Sequence, residues 1–508
     1  MIINDLVRYW GRTRPEQDAI VFEDTVQTWQ ELDAVSDALA RGLAAHGIVK
    51  GDRVGILMRN RLETAALMLA ALKAGAICAP LNFRLAPPEL AGMIADCTPR
   101  IIVAEGDLSA LLAHARAESD FTVFTTEDTD DRPYTDLLVE AGDAPQVDVV
   151  EDDVAFICYT SGTTGVQKGA MLTHKNILSV AQSAVLATGL TGRDRVLAAA
   201  PLVYTGSGIS VFMQFVVYPG ATMILCDFNP DSGLQAMEKH KVTATTLVPV
   251  IYERMAMMPD FATRDVAQFN FAGAGGAPVR PDLLETYRNR GLVLTQVYGL
   301  TEVAGLATMM RYEDAVSRPG FAGLPLLGTE LRIGEPGNWA APGEVGEILV
   351  RGPHVMKGYW NRPEATAEVM VDGWLRTGDL GLQDEQGFLK LVDRSKDMLI
   401  SGGLNVYPAE IERVLAGVEG VQELAVIGVP DETWGEVPMV VFNTQGDANE
   451  VAARLHEAAA ANLAKFKQPK SAVALDGPLP RTFSGKLAKP LLRQQFPARP
   501  DSAISLTH

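Results

Sequence analysis

Residues 154–170 read VAFICYTSGTTGVQKGA, and this stretch passes from an apolar run into a loop of hydroxyls and glycines. A phosphate-binding loop needs backbone N–H groups turned inward and no Cβ atoms in the way, and glycine permits that conformation. Hydroxyl side chains add donors, and a lysine adds positive charge. We therefore predict that the loop binds phosphate through Thr160, Ser161, Gly162, Thr163, Thr164, Gly165 and Lys168.

The surroundings of the loop also indicate phosphate. The apolar run predicts a strand, and the residues from about Thr173 onward predict a helix. A strand, a loop and a helix in this order form a setting that phosphate sites favour. The loop is not of the Walker A type, because Gln167 stands five positions after Gly162 and Lys168 is followed by glycine. Taken alone, it is equally typical of a flexible surface turn.

Length and charge limit the classes of protein to consider. The chain has 508 residues, too many for one ordinary core, so two or more domains are expected. Apolar residues make up 47% and charged residues 21%, the balance of a soluble globular protein. The net charge of −19 argues against nucleic acid and anionic lipid as general partners.

Cysteine and histidine usage excludes further classes. The four cysteines are scattered without a CxxC pair, which predicts reduced thiols in a cytoplasmic protein. The seven histidines show no HExxH or paired Cys/His spacing, so no zinc site is expected. The first residues lack the apolar core of a signal peptide, and the longest apolar runs are too short to span a bilayer.

Hydrophobic patterning predicts an α/β fold. Thr28 and Glu31 have capping-box spacing before a helical pattern, a second helix is predicted at about 62–74, and ICAPL at 77–81 predicts a strand. Strands separated by helices indicate parallel sheets covered on both faces. From 320 to 395 short β-rich runs alternate with Gly/Pro turns, and a smaller unit of strands and helices follows. We predict a domain boundary near residue 395.

Six segments together resemble a known family. They are YTSGTTGVQKG at 159–169, GAGGAP at 273–278, QVYGLTE at 296–302, GWLRTGD at 373–379, DRSKDMLISGGLNVYPAEIE at 393–412 and PRTFSGK at 480–486. In this order they resemble the motifs of the adenylate-forming superfamily, the acyl-CoA synthetases with their luciferase and peptide-synthetase relatives. The resemblance covers nearly the whole chain.

The resemblance implies a fold and a reaction. The fold would be a large AMP-binding N-terminal domain of helix-covered sheets with a β-rich subdomain (1–395), followed by a small mobile α+β C-terminal domain (396–508). The reaction would activate a carboxylic acid as acyl-AMP with release of pyrophosphate, and then transfer the acyl group to coenzyme A. ATP, Mg²⁺ and coenzyme A would be required, because a carboxylate is a poor electrophile until AMP makes one of its oxygens a leaving group.

The resemblance also implies roles for the residues that hold the nucleotide. Tyr298 would stack on adenine and Thr301 would contact the α-phosphate. Glu302, with Thr164, would hold Mg²⁺. Asp379 would accept hydrogen bonds from the ribose, and Arg394 would donate to it. The other nucleotide-binding residues would be Gly276, Ala277, Pro278, Gln296 and Gly299.

The C-terminal domain would carry the adenylation lysine, Lys486, which stabilises the charge that develops as the carboxylate attacks. Lys396 matches the hinge position of the family. Gly402 and Gly403 would leave room for the pantetheine arm of coenzyme A. Three further lysines would meet the phosphates of coenzyme A or lie on a solvated surface, and both interpretations stay open: Lys465, Lys467 and Lys470.

The acyl pocket would begin at residues 201–217, PLVYTGSGISVFMQFVV, which carry no charged side chain. A dicarboxylic acid or an amino acid would need a buried counter-charge, so we expect an uncharged fatty or aromatic tail. Tyr204 stands where many relatives have histidine, so its part in thioester formation is open. GAGGAP is too glycine-rich to be expected inside a strand. The pocket residues would be Tyr204, Thr205, Gly206, Gly273, Gly275, Val303 and Ala304.

Other functions stay open from the sequence. An adenylating enzyme that loads a carrier-protein thiol, or a luciferase-like ATP-dependent oxygenase, would share these motifs. An ATP-sensing relative without catalysis would have lost a catalytic group, yet Lys486 and Glu302 are both present. The resemblance leaves a homodimer open.

Overall fold

The computed structural model describes residues 1–142, 147–160, 167–227, 229–266, 268–277, 279–394, 397–401, 404–481 and 487–506, with the backbone alone at residues 207 and 394. Contacts between residues divide the chain into two compact units. Unit 1 consists of Met1–Leu331 and Val350–Leu375, and unit 2 consists of Arg332–Leu349 and Arg376–His508.

Most of unit 1 is built on two sheets. Their strands are β1 (Asp18–Phe22), β2 (Thr25–Thr28), β3 (Arg53–Leu57), β4 (Ile77–Pro80), β5 (Ile101–Ala104), β6 (Thr122–Thr125), β7 (Arg132–Pro133), β8 (Val154–Thr160), β9 (Lys168–Thr173), β10 (Arg195–Ala198), β11 (Thr222–Leu225), β12 (Ala244–Leu247), β13 (Phe271–Gly275), β14 (Thr295–Tyr298), β15 (Thr308–Met309) and β16 (Leu324–Pro325).

The two sheets are largely parallel. One has the order β16-β15-β14-β13-β12-β10-β11-β1-β2, and the other has the order β7-β6-β5-β3-β4-β8-β9. In the first sheet β10 to β14 and β1 run parallel to their neighbours, whereas β2, β15 and β16 are antiparallel additions at the edges. The predicted parallel sheets are therefore confirmed.

Helices supply the apolar faces that cover these sheets. Buried side chains of β12, β13 and three of the helices, for example Leu247, Tyr252 and Tyr287, form one core cluster. Thr28 caps its helix as predicted, because Glu31 N donates to Thr28 Oγ1 at 3.2 Å and Thr28 N donates to Glu31 Oε2 at 2.8 Å. The helices are α1 (Ile3–Thr13), α2 (Trp29–Ala45), α3 (Leu62–Lys73), α4 (Pro87–Cys97), α5 (Ala113–Glu118), α6 (His174–Thr188), α7 (Pro230–Lys239), α8 (Pro249–Ala256), α9 (Pro281–Arg288), α10 (Tyr312–Ala315) and α11 (Pro363–Val369).

Shorter helical turns complete unit 1. Gly106–Leu112, Tyr134–Leu137 and Thr301–Val303 are 3₁₀ turns. Thr205–Ile209 and Val211–Val217 have π-helical hydrogen bonding, a form that is frequent at functional sites. The predicted acyl segment is therefore helical and wider than an α-helix.

The remaining strands follow in chain order. They are β17 (Glu330–Glu335), β18 (Asn338–Trp339), β19 (Gly346–Arg351), β20 (Met370–Val371), β21 (Trp374–Gln383), β22 (Leu389–Arg394), β23 (Leu399–Ser401), β24 (Leu404–Val406), β25 (Glu423–Asp431), β26 (Gly435–Asn443), β27 (Ser471–Leu475) and β28 (Ile504–Ser505).

Within unit 2 the sheet order is β24-β23-β26-β27-β28, and β25 pairs along the length of β26. The helices α12 (Pro408–Leu415), α13 (Ala448–Asn462) and α14 (Lys489–Gln495) accompany this sheet. Its core contains Ile411, Val440 and Leu455, none of which is exposed. The α/β class, with large sheets first and a small unit of strands and helices last, agrees with the prediction.

The four cysteines lie among the described residues, and all of them are free. Cys78, Cys97 and Cys158 are buried free thiols, and Cys226 is a partly buried one. Within the same residues, no helix has the length and apolar character needed to cross a membrane.

Candidate nucleotide and acyl site

The predicted phosphate loop is flanked by two antiparallel strands. Thr160 lies opposite Lys168 and Tyr159 lies opposite Gly169 in the antiparallel pair β8–β9. The expected strand–loop–helix order is therefore wrong. Strand β9 continues the sheet for six residues. Only then does Thr173 cap α6, by accepting a 3.1 Å hydrogen bond from Asn176 N. Of the predicted phosphate ligands, Ser161, Gly162, Thr163, Thr164 and Gly165 lie outside the described residues.

A third segment, residues 356–360, joins this hairpin to the loop that carries Glu302. Its backbone pairs with β9, because Met171 N donates to Gly358 O at 2.9 Å and Trp360 N donates to Gly169 O at 2.7 Å. Its first residue, Met356, donates from N to Glu302 O at 2.8 Å. Residues 356–360 therefore hydrogen-bond both to β9, which begins at Lys168, and to the backbone of Glu302.

Tyr359 sits at the centre of this junction. Its hydroxyl donates to Glu302 Oε1 at 2.7 Å, and Nζ of Lys168 lies 5.3 Å from the centre of its ring. The side chain is only 8% exposed. Burial and the neighbouring Glu302 carboxylate raise the pKa of Tyr359, so the hydroxyl stays protonated and remains a donor. The motif analysis missed this residue, and its only sequence signal was an aromatic residue after Gly358.

The other side of the hairpin is fixed by Asp96 on α4. Tyr159, the residue before Thr160, donates from its hydroxyl to Asp96 Oδ2 at 2.7 Å. Arg362 forms an ion pair with Asp96 Oδ1 at 2.8 Å. Tyr159 is therefore linked to Arg362 through Asp96, while Lys168 lies near the ring of Tyr359.

GAGGAP does enter a strand, contrary to expectation. Gly273 and Gly275 belong to β13, a buried strand between two parallel neighbours. The glycines are needed for close approach, since a Cβ at Gly275 would lie 2.5 Å from Val297 Cγ2, and one at Gly273 would lie 2.8 Å from Thr246 Oγ1. Gly276 then takes a φ of +81°, which favours glycine, and it is exposed together with Ala277 at the carboxyl end of the strand. Pro278 lies outside the described residues.

QVYGLTE places a strand end, a glycine and a tight turn in sequence. Gln296 and Tyr298 lie in β14, and the Tyr298 side chain is 6% exposed. A Cβ at Gly299 would clash with the carbonyl of Gly305, so only glycine lets the chain fold back here. Thr301 and Glu302 follow in the 3₁₀ turn, at the carboxyl end of the same sheet as Gly276.

The predicted acyl segment packs on that turn. Ser210 Oγ and Gln214 Nε2 both donate to Ala304 O, at 3.0 Å and 2.6 Å. Ala304 adopts a left-handed φ of +52°, and both Val303 and Ala304 are fully buried. The structure therefore places the predicted acyl segment, through Ser210 and Gln214, against the turn that carries Val303 and Ala304.

Tyr204 lies at the start of the helical segment and is 9% exposed. Its hydroxyl is 3.4 Å from Asn82 Oδ1, and burial raises its pKa while the Arg84 charge opposes the rise. Next to it, Thr205 reaches Cys158 on β8, where burial raises the pKa of the thiol to about 12 and the Thr205 hydroxyl counteracts part of that rise. Gly206 is exposed, and no atom lies within 4 Å of the position its Cβ would take.

In unit 2, Asp379 and Arg394 are paired across the β21–β22 hairpin. Asp379 N donates to Thr377 Oγ1 at 3.1 Å, which fixes the RTGD backbone. The side chain of Arg394 lies outside what the structure describes, as do Lys396, Gly402, Gly403 and Lys486. Lys467 forms an ion pair with Glu410 at 2.7 Å, which favours a structural role for this lysine.

The donor set near Glu302 suits magnesium. Among the described residues there is no group of three or more His, Cys, Asp or Glu side chains that could hold a metal by itself. Mg²⁺ takes hard oxygen ligands and is usually bound by one or two carboxylates together with substrate phosphates. The Glu302 carboxylate fits that mode of binding, whereas Thr164, the other predicted ligand, lies outside the described residues.

Two family models match the chain in the order of its units. One, described as AMP-binding enzyme, matches residues 7–360. The chain belongs to the AMP-binding enzyme family. The other, described as AMP-binding enzyme C-terminal domain, matches residues 410–486. The resemblance inferred from the six motifs is confirmed.

Relatives of this AMP-binding enzyme match it over almost its full length. Feruloyl-CoA synthase of an Amycolatopsis species is 39% identical over 491 residues, which cover 96% of this chain and 97% of that protein. Long-chain-fatty-acid–CoA ligase FadD13 of Mycobacterium tuberculosis is 37% identical and covers 94% of both chains. The solved O-succinylbenzoate coenzyme A synthetase of Bacillus subtilis, in complex with ATP and magnesium ion, matches with a TM-score of 0.87, 32% identity and coverage of 96% and 99%.

Proposed function

We propose that this AMP-binding enzyme is an ATP-dependent acid–CoA ligase that forms AMP. The observation that carries the proposal is that Tyr359 contacts both Lys168, at the start of β9, and Glu302. Full-length relatives named as acid–CoA ligases favour this reaction over carrier-protein loading or a luciferase-like oxygenation.

The described residues suit the first half-reaction. Lys168 supplies a positive charge at the end of the phosphate loop, where the polyphosphate of ATP would lie. Glu302, with Thr164, would hold Mg²⁺, which neutralises phosphate charge when bound, and Thr301 would contact the α-phosphate. Gly276 and Ala277 are exposed and would border the adenine. Gln296 and Tyr298 at the end of β14, followed by Gly299, would complete the nucleotide site.

The acid would enter beside the helical segment. The segment 201–217 carries no charge, and Gly206 leaves open space next to buried apolar side chains. A second carboxylate or an ammonium group would lack a counter-charge in this segment. We therefore propose an uncharged fatty or aromatic acid, with Gly273, Gly275, Val303 and Ala304 along its path.

Residues of the C-terminal part of the chain would serve both half-reactions. Lys486 would stabilise adenylation, and a rotation at Lys396 would then bring Gly402 and Gly403 over the acyl-AMP to admit coenzyme A. Asp379 and Arg394 would hold the ribose. The domain boundary near residue 395 and the roles of these six residues remain predictions from the motifs. We further propose a cytoplasmic location, in keeping with the free thiols, and a homodimer stays a hypothesis.

The deciding experiment offers purified protein a panel of carboxylic acids with ATP, Mg²⁺ and coenzyme A. Acyl-CoA, AMP and pyrophosphate are measured by mass spectrometry and coupled assays. We expect equal amounts of the three products with at least one fatty or aromatic acid. Failure of every acid to convert ATP to AMP and pyrophosphate would refute the proposal, while light emission or transfer to a carrier protein without acyl-CoA would replace it with an alternative.

A further inference from the structure

Tyr359 belongs to none of the six motifs, yet it contacts two residues that lie in separate motifs. Lys168 closes the phosphate loop and Glu302 closes QVYGLTE. The Tyr359 hydroxyl is 2.7 Å from Glu302 Oε1, and its ring centre is 5.3 Å from Lys168 Nζ. One side chain therefore touches both the cation and the anion of the phosphate site.

The position of Tyr359 is fixed by its own backbone. Its N–H donates to Thr366 Oγ1 at 2.9 Å at the start of α11, and its residue pairs with Ala170 of β9. Gly358 before it has a φ of +141°, and a Cβ there would lie 2.9 Å from Thr366 Cγ2. Because the ring is also buried, it cannot swing away from the two charged groups without moving the backbone of residues 356–360.

We propose that Tyr359 is a positioning residue for the metal–nucleotide complex: its hydroxyl fixes the orientation in which the Glu302 carboxylate holds Mg²⁺, and its ring keeps the Lys168 ammonium beside the same phosphates. The proposal rests on the proposed function of the site. A hydrogen bond to an ionised acceptor is among the stronger ones in proteins, and a cation within about 6 Å of a tyrosine ring is attracted to its face.

The two contacts have separable consequences. Tyr359→Phe keeps the ring beside Lys168 and removes only the hydrogen bond to Glu302. Tyr359→Leu removes both contacts. Glu302→Asp keeps the carboxylate but shortens its reach, so it breaks the same hydrogen bond from the other side. Tyr287→Phe is the matched control, because Tyr287 is also a buried tyrosine of unit 1, and its hydroxyl donates at 2.9 Å to the Tyr252 carbonyl.

The experiment measures binding rather than turnover. Mn²⁺ is titrated into full-length protein with a non-hydrolysable ATP analogue and followed by electron paramagnetic resonance, and the fraction folded is checked by circular dichroism. We expect Tyr359→Phe to weaken Mn²⁺ binding by about 10-fold, the effect of losing a hydrogen bond to a charged group. In the Glu302→Asp background the same change should have no further effect. Binding of the analogue in EDTA should be unchanged in Tyr359→Phe and weaker in Tyr359→Leu.

The control variant and the reaction assay distinguish a failure of the role proposed for Tyr359 from a failure of the proposed reaction. Wild-type Mn²⁺ affinity in Tyr359→Phe, or a loss no larger than that of Tyr287→Phe, would overturn the proposal even if the protein makes acyl-CoA. If Tyr359→Phe does not fold, full additivity of Glu302→Asp and Tyr359→Leu in Mn²⁺ affinity would overturn it instead. A wild type that makes no acyl-CoA, but whose Mn²⁺–nucleotide binding still depends on the Tyr359 hydroxyl, would refute the proposed reaction and support this role.

Discussion

The side-chain amide of Gln214 donates a 2.6 Å hydrogen bond to the carbonyl of Ala304, two residues after Glu302. Ser210 donates to the same carbonyl at 3.0 Å. These bonds connect the helical segment of the acyl pocket to the turn that carries Glu302. The proposed acid pocket and the proposed metal–nucleotide site therefore share a buried contact at Ala304.

We expect the two donors to be partly redundant. Ser210→Ala or Gln214→Leu leaves Ala304 O with one partner, whereas the double variant leaves a buried carbonyl with neither. An unsatisfied buried polar group costs about 1–3 kcal/mol, so the double variant should lose more unfolding free energy than the sum of the single variants. Urea unfolding of all four proteins tests this, and strict additivity would contradict the shared-acceptor geometry.

Gly299→Ala should damage both stability and adenylation. The added Cβ would clash with Gly305 O and lie 2.7 Å from Leu306 Cα, so the turn holding Thr301 and Glu302 has to move. Overpacking of this kind costs about 1–3 kcal/mol. Thermal unfolding and ATP–pyrophosphate exchange measure the two effects.

The control for Gly299→Ala is Gly92→Ala. Gly92 lies inside α4, and among the described residues a Cβ there meets no atom within 4 Å. Removing a glycine from a helix interior should stabilise the protein by about 0.5–1 kcal/mol and leave the exchange rate unchanged. Equal effects of the two alanine variants would show that close approach at Gly299 is not required.

Acid should destabilise unit 1 through two buried histidines. Burial lowers the pKa of His174 to about 4, with Asp153 and Asp5 opposing the shift, and burial likewise lowers the pKa of His354 to about 4. The ordinary histidine pKa is about 6.5, so between these values the unfolded chain binds protons that the folded chain does not. Stability should therefore fall as the pH drops from about 6.5 to about 4, by up to about 1.4 kcal/mol per pH unit for each histidine.

Urea unfolding between about pH 7.5 and about pH 4.5 measures how the free energy of unfolding changes with pH, and His354→Gln should reduce this change. The control His114→Gln removes an exposed histidine on α5 instead. An unchanged slope in His354→Gln would contradict the assignment of the proton uptake to this buried residue.

Lys486→Ala should separate the two half-reactions. Acid-dependent release of pyrophosphate should be lost by about 100-fold or more, as for removal of a group that stabilises developing charge. Capture of a supplied acyl-adenylate by coenzyme A should be largely spared, because we propose that the second step uses another face of the C-terminal domain. Stopped assays of each half-reaction measure the two rates, and an equal loss of both would refute this division of roles.

Local sequence signals predicted much of the fold. The capping box at Thr28 and the helix at Leu62–Lys73 were correct because a cap and a run of helix-forming apolar residues act over a short stretch of chain. Two predictions failed for one reason. The residues after Gln167 form a strand before the helix, and Gly273 and Gly275 lie inside a strand, since pairing with β8, β12 and β14 outweighed local preference.

The residues of the candidate site likewise divide into those with a local sequence signal and those brought in by long-range pairing. Lys168, Thr301 and Glu302 were predicted because their motifs are contiguous. Tyr359 was not, because its partner Glu302 is far from it in sequence and only the pairing of residues 356–360 with β9 brings them together.

By itself, the sequence determined the family and the α/β class, because these are carried by short motifs and periodic patterns, and the residues that would bind ATP stay predictions from the same motifs. Only the tertiary structure decided that Tyr359 joins Lys168 to Glu302 and that Gln214 joins the acyl segment to Ala304. The physical reason is that such contacts depend on the closing of sheets and helices over long stretches of chain, which no local preference encodes.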